Sequence, residues 1–307
     1  MNLETVFLLI LTTARIVVPG IPSEYTGDDG KVYKSPLPAK FDLTMSLASS
    51  SSNKGKANVY LPDGVNSGEI VRLLQENLEP ETPASEPTIP EAARIINYWG
   101  SGTAIPEDQP LLGMTKGAAL ELQTLPSGSR AYWPDLSRRN PPEPKSAAGR
   151  YKLYTNYCGN AFFTIPPTQD FLPPVDLTDI PANPDLGQPI KLSWQPVPGA
   201  VAYFIIAQGG NANESITWSS SATSDYPDGL DVQALNPAEM DAMIKKGVLM
   251  SDKQTACSIP AGVFKGSSTV IITMLALGRD RIENIGGIDV RILRRSLLSI
   301  PISPKKK

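Results

Sequence analysis

The chemistry open to this 307-residue chain is bounded first by a residue type it lacks, because it contains no histidine. Nucleophiles activated by an imidazole, His-ligated zinc and the facial triad of non-haem iron are therefore excluded. Carboxylate pairs, Lys or Tyr bases and oxygen-ligated calcium remain. The adjacent acids Asp28-Asp29 and Glu239-Asp241 point different ways along their segments and do not make an acid/base pair. Asp225, Asp228 and Asp231 surround Gly229 without EF-hand spacing and read as an ordinary polar turn. No catalytic residue, metal ligand or cofactor site follows from these patterns, and a non-enzyme is expected.

Binding by aromatic faces is the next chemistry to consider. Tyr98, Trp99, Tyr132, Trp133 and Trp218 are candidates for stacking on sugar rings. The competing reading places one ring of each Tyr-Trp pair in a core and the other at the surface, as strand alternation requires. Cys158 and Cys257 are the only cysteines; in an exported chain they are the pair available for a disulfide, and two buried free thiols fit equally well. The net charge of -3 gives no broad electrostatic reason to expect nucleic acid or an anionic membrane as partner. Low charge (19%) with 30 Pro and 24 Gly suits an extracytoplasmic β protein, periplasmic or extracellular.

The elements that would position these residues read as follows. Residues 6–14 are apolar but far shorter than the roughly 20 needed for a membrane span. An export signal within residues 1–24 is expected, with a buried strand as the alternative; the lack of Lys or Arg before the run counts against a signal. Residues 25–78 form an expected N-terminal β domain, in which Phe41, Leu43, Met45 and Leu47 alternate with polar neighbours and residues 67–78 suit a short amphipathic helix. The Pro- and acid-rich residues 79–92 read as a linker. A middle β region, 93–174, carries a weak internal repeat: Asn97-Tyr98-Trp99-Gly100 returns as Asn156-Tyr157-Cys158-Gly159, suggesting a duplicated strand-turn-strand unit. Residues 118–123 and 129–134 supply further short strands, and 138–148 read as a second linker. Asn236, Pro237 and Glu239 announce the start of a helix that Gly247 ends, and the closing residues 303–307 form a solvated basic tail.

The clearest β signal is 189–207. Ile190, Leu192 and Trp194 alternate with polar residues, Pro196, Pro198 and Gly199 turn the chain, and an apolar strand containing Tyr203 follows. This Trp-turn-Tyr hairpin resembles the B and C strands of fibronectin type III-like domains, although Met274 stands where the family's F strand usually has Tyr. The resemblance implies an immunoglobulin-like sandwich over 175–302, interrupted by the helical insertion. The fold expected is thus mainly β: tandem β-sandwich-like domains with a C-terminal fibronectin type III-like sandwich. Such domains are mostly spacers or binding platforms. The leading functional expectation is a non-catalytic, extracytoplasmic structural or interaction protein that meets a protein partner or a surface glycan. A glycan-binding protein using Trp99, Trp133 or Trp218 is the alternative, and a carboxylate-dependent glycoside-active enzyme comes third.

Overall fold

The computed structural model describes residues 5–17, 24–26, 32–34, 38–51, 55–65, 70–75, 94–112, 129–134, 143–179, 184–226 and 229–304. The fold is mainly β. In chain order the first strands are β1 (Thr5–Ile16), β2 (Glu24–Thr26), β3 (Val32–Lys34), β4 (Lys40–Ser49), β5 (Ala57–Tyr60), β6 (Ile70–Arg72) and β7 (Leu74–Gln75). Next come β8 (Arg94–Trp99), β9 (Leu111–Leu112), β10 (Ser129–Trp133), β11 (Gly149–Thr155), β12 (Asn160–Ile165) and β13 (Leu177–Asp179). The remainder holds β14 (Ile190–Trp194), β15 (Ala200–Asn211), β16 (Glu214–Ser219), helix α1 (Pro237–Lys245), β17 (Met250–Ser251) and β18 (Ala256–Ile259). It closes with β19 (Thr269–Gly278), β20 (Arg281–Ile285) and β21 (Ile288–Ile302).

A large sheet runs β7-β10-β4-β1-β21-β19-β15-β16-β8-β9. Smaller sheets of order β12-β11-β5-β6 and β13-β14-β18 each cover part of it, because each shares a core with it. The two longest central strands explain how one sheet carries two cores. On β21, Ile288, Val290 and Ile292 enter the first core, and Leu298, Ile300 and Ile302 enter the second on the same face, as period-2 alternation requires. Parallel to it, β1 sends Phe7, Leu9 and Leu11 into the first core. Each fully buried side chain of this kind stabilises by about 1.5–3 kcal/mol.

Polar residues fill the joint between the cores. Thr13 donates to the Leu172 carbonyl (2.6 Å), and Arg294 Nε donates to the Asp170 carbonyl (2.8 Å). Burial lowers the Arg294 pKa, against which the Asp170 and Asp280 carboxylates act. The Asp170 carboxylate in turn accepts from the backbone N–H groups of Ala147 and Phe171, both at 2.8 Å. On the back of the sheet, α1 and residues around it cover Phe204, Leu275 and Leu277 through Met240 and Leu249. The α1 start is the capping box expected from sequence: Asn236 accepts from Glu239 N (3.0 Å), and Glu239 accepts from Asn236 N (2.7 Å).

Four expectations change. Residues 6–14 are the body of β1, hydrogen-bonded on one side to β4 and on the other to β21, so the apolar run read as an export signal is a central strand here. Residues 70–75, expected within a helix, are strands: Val71 and Leu73 point inward at period 2, and Leu73 N donates to the Ala57 carbonyl (3.0 Å), extending the pairing with β5. The expected N-terminal and middle domains interleave, since β5 pairs with β11 and both serve the first core, whereas Ile96 of β8 serves the second. Finally, the two repeat copies are placed differently. Asn97 to Trp99 lie within β8, and Asn156 to Cys158 lie in the turn after β11; only the glycines behave alike, Gly100 and Gly159 having φ of 86° and 101°. The acidic pair Asp28-Asp29, the linker 79–92, the strand 118–123 and the lysines of the tail lie outside the described residues. Among the described residues no helix is long and apolar enough to cross a membrane.

Candidate functional site

Five aromatic residues are candidates for stacking on a ligand, and the sheet divides them between two distant strands and a buried position. Tyr132 and Trp133 lie on β10, Tyr98 and Trp99 on β8, with six strands between them in the large sheet. At about 4.8 Å per strand that distance is ~34 Å. Trp218 is fully buried in the second core, its indole N–H donating to the Gly100 carbonyl (2.9 Å), and cannot meet a ligand. Trp133 packs against the first core and Tyr98 against the second. Burial, then the Glu214 carboxylate, raises the Tyr98 pKa.

Trp99 lines an open cleft of about 560 Å³. Gly100, at φ 86°, turns the chain out of β8 immediately after it. The Gln109 side chain then bonds the Trp99 backbone in both directions, accepting from N (3.1 Å) and donating to O (2.9 Å), so an amide closes an edge that a strand would otherwise close. The far wall comes from Ile244, Gly247, Met250 and Gln254, and Asp108 is the only carboxylate in the lining among the described residues. One ring, one carboxylate and amide groups suit hydrogen bonding to a polar, flat ligand.

The aromatic surface of the molecule is elsewhere. Strands β5, β6, β11 and β12 turn Ala57, Val59, Val71, Tyr151, Leu153, Ala161, Phe163 and Ile165 inward, and by alternation the residues between them outward. Register sets Phe162 beside Lys152, Lys152 beside Tyr60, and Tyr60 beside Ile70. The neighbouring row reads Asn160, Tyr154, Asn58 and Arg72, and Arg150 faces Thr164 in the next. Tyr154 touches Tyr60 edge-on (centroids 5.4 Å) and Phe162 at a tilt (5.3 Å). Beside them a groove of about 510 Å³ is lined by Tyr60, Arg150 and Lys152, with Asp63 at the turn after β5. These rings are not grouped in the sequence: Tyr151 and Tyr154 fall on opposite phases of β11, Phe162 and Phe163 on opposite phases of β12, and the pairing of β5, β11 and β12 sets Tyr60, Tyr154 and Phe162 on one face.

The cysteines are free and serve different cores: Cys257 is buried in the second, and Cys158 packs against the first. Burial raises the pKa of both. The adjacent Tyr157 is pushed up to about 12 by burial and by the Cys158 thiol. Asp225 and Asp231 flank the turn that covers Phe204, Asp228 lies outside the described residues, and no group of three or more Cys, Asp or Glu able to hold a metal is present among the described residues. No family model matches this chain, and no curated protein matches it in sequence.

Proposed function

We propose that this chain is a non-catalytic interaction protein whose working surface is the outer face of the β12-β11-β5-β6 sheet. One observation carries the proposal: Phe162 and Ile70 are each 52% exposed, and Tyr60 and Tyr154 each 39%, on adjoining positions of one face. The water-facing side of an antiparallel sheet is ordinarily polar, and a clustered apolar patch marks a contact site. The joined cores beneath give the face a stiff support. The non-catalytic reading is supported by the use made of the carboxylates: Asp170, Asp280 and Glu239 hold backbone groups, and each cleft described above is lined by a single carboxylate. The fibronectin type III-like reading of the C-terminal unit is supported by the β13-β14-β18 sheet packed over β15, β19 and β21, and by Trp194 meeting Tyr203 edge-on at 5.4 Å. The extracytoplasmic location expected from sequence now rests on composition alone, and the proposal does not depend on it.

The test is binding of anilinonaphthalene sulfonate to the native protein. Fluorescence enhancement that disappears in a Tyr154→Ser/Phe162→Ser variant of unchanged unfolding midpoint is the expected result. No enhancement, or the same enhancement in the variant, would remove the proposal. A second reading, glycan binding, is favoured by the placement of Trp99 in its cleft. Soluble oligosaccharides should then quench tryptophan emission, and quenching that persists undiminished in Trp99→Phe would end that reading.

A further inference from the structure

We propose that the exposed face of the β12-β11-β5-β6 sheet binds single-stranded nucleic acid; the inference rests on the reading of that face as a binding surface. Its chemistry is one-sided. None of the outward positions on these strands carries a carboxylate, although the chain as a whole has 31 acids against 28 bases. The cations Arg72, Arg150 and Lys152 stand there, and none of them enters an ion pair among the described residues. The nearest acid in the lining of the groove is Asp63, at its turn end. The overall charge of -3, which argued against such a partner, averages over this local excess of base.

The arrangement matters as much as the composition. Along one row a ring, a cation and a ring follow in register, Phe162, Lys152 and Tyr60; in the next, amides flank a ring, Asn160, Tyr154 and Asn58. A single strand alternates bases, which stack on aromatic faces, with phosphates, which pair with Lys and Arg. Asn side chains between the rings are placed for the base edges that single strands leave open. Four-stranded sheets whose exposed rings stack two or three bases are a known solution to this recognition problem. A duplex hides its base faces from such a sheet. A neutral glycan has no use for these cations, and the centre of a protein interface is depleted in Lys.

The experiment is fluorescence anisotropy of fluorescein-labelled oligo(U) and oligo(dT) with the full chain across a potassium chloride series. With the three cations engaged, log K should fall against log salt with a slope of about -2, from roughly 0.7 per phosphate on a single strand. Tyr154→Ala and Phe162→Ala should each weaken binding about 5- to 150-fold. Tyr154→Phe should restore it, and Arg150→Ser/Lys152→Ser should flatten the salt slope. Heparin as competitor and a matched duplex separate the alternatives. Oligonucleotide binding that survives loss of both rings and is displaced by heparin would identify a mere anion patch and overturn the proposal, as would equal affinity for duplex. Anilinonaphthalene sulfonate binding without oligonucleotide binding would leave the surface standing and overturn its ligand; absence of both would remove surface and ligand together.

Discussion

Arg295 and Asp280 meet where neither side chain touches water, joined by two parallel N–H···O bonds of 2.6 and 2.8 Å. The remaining Arg295 donors reach the carbonyls of Leu230, Gln233 and Arg294, so all five are used. Asp280 also accepts from Leu235 N at 2.9 Å. The pair thereby fastens the chain leading into α1 to the back of β21. Arg295→Met strands a buried carboxylate and should cost about 3–5 kcal/mol. The double variant Arg295→Met/Asp280→Leu should recover part of that loss in guanidinium unfolding; a double no more stable than the single would contradict this account.

Because β21 serves both cores on one face, the cores should unfold together. Ile292→Ala in the first and Ile300→Ala in the second should each lose about 2–5 kcal/mol. In both variants the transitions followed by tryptophan emission and by far-ultraviolet circular dichroism should coincide. Separated transitions in either one would show that the shared strand does not couple them.

The thiols should behave as two separate free groups, Cys257 buried and Cys158 partly so. Intact mass should be the same with and without reductant. Ellman's reagent should leave Cys257 unmodified in the native protein, modify Cys158 slowly, and modify both in guanidinium, since burial raises both pKa values and suppresses the thiolate. A two-proton mass deficit that reduction removes would refute this.

Alkaline pH should destabilise the fold. Burial holds the Tyr151 phenol well above its ordinary value and pushes Tyr157 up to about 12, so both stay protonated in the native state while their unfolded counterparts ionise near pH 10. Their contribution is complete below pH 10 and is lost as pH rises through the native values; the thiols act in the same direction from about pH 9. The guanidinium midpoint should fall from about pH 9 upward, less steeply in Tyr157→Phe. A midpoint flat to about pH 11 would rule this out.

Local signals in the sequence proved legible. The Asn236/Glu239 capping box, the alternation from Phe41 to Leu47 and the turn that brings Trp194 against Tyr203 depend on neighbours a few residues apart, although β14 and β15 prove to lie in different sheets rather than pair as a hairpin. What failed was non-local. The run 6–14 has the composition of a leader and of a central strand alike, and its place as a strand is set by partners from 289 to 297. Trp99 and Trp218 look equivalent in sequence; pairing of β8 with β16 leaves one in a cleft and buries the other. The face bearing Tyr60, Tyr154 and Phe162 was hidden because its rings come from three strands far apart in the chain, and only the register of β11 with β5 and β12 brings them side by side.

The parallel pairing of β1 with β21 also fixes an order of events during synthesis. At about 5–20 residues per second a ribosome would need roughly 15–60 s to pass from the first strand to the last. Throughout that interval β1 can pair with β4 but has an open edge on its other side, and Phe7, Leu9 and Leu11 lack the cover that Ile288, Val290 and Ile292 later give. The centre of the great sheet therefore closes only after β21 is made, and until then the nascent chain carries an apolar strand with one edge open to wrong pairing.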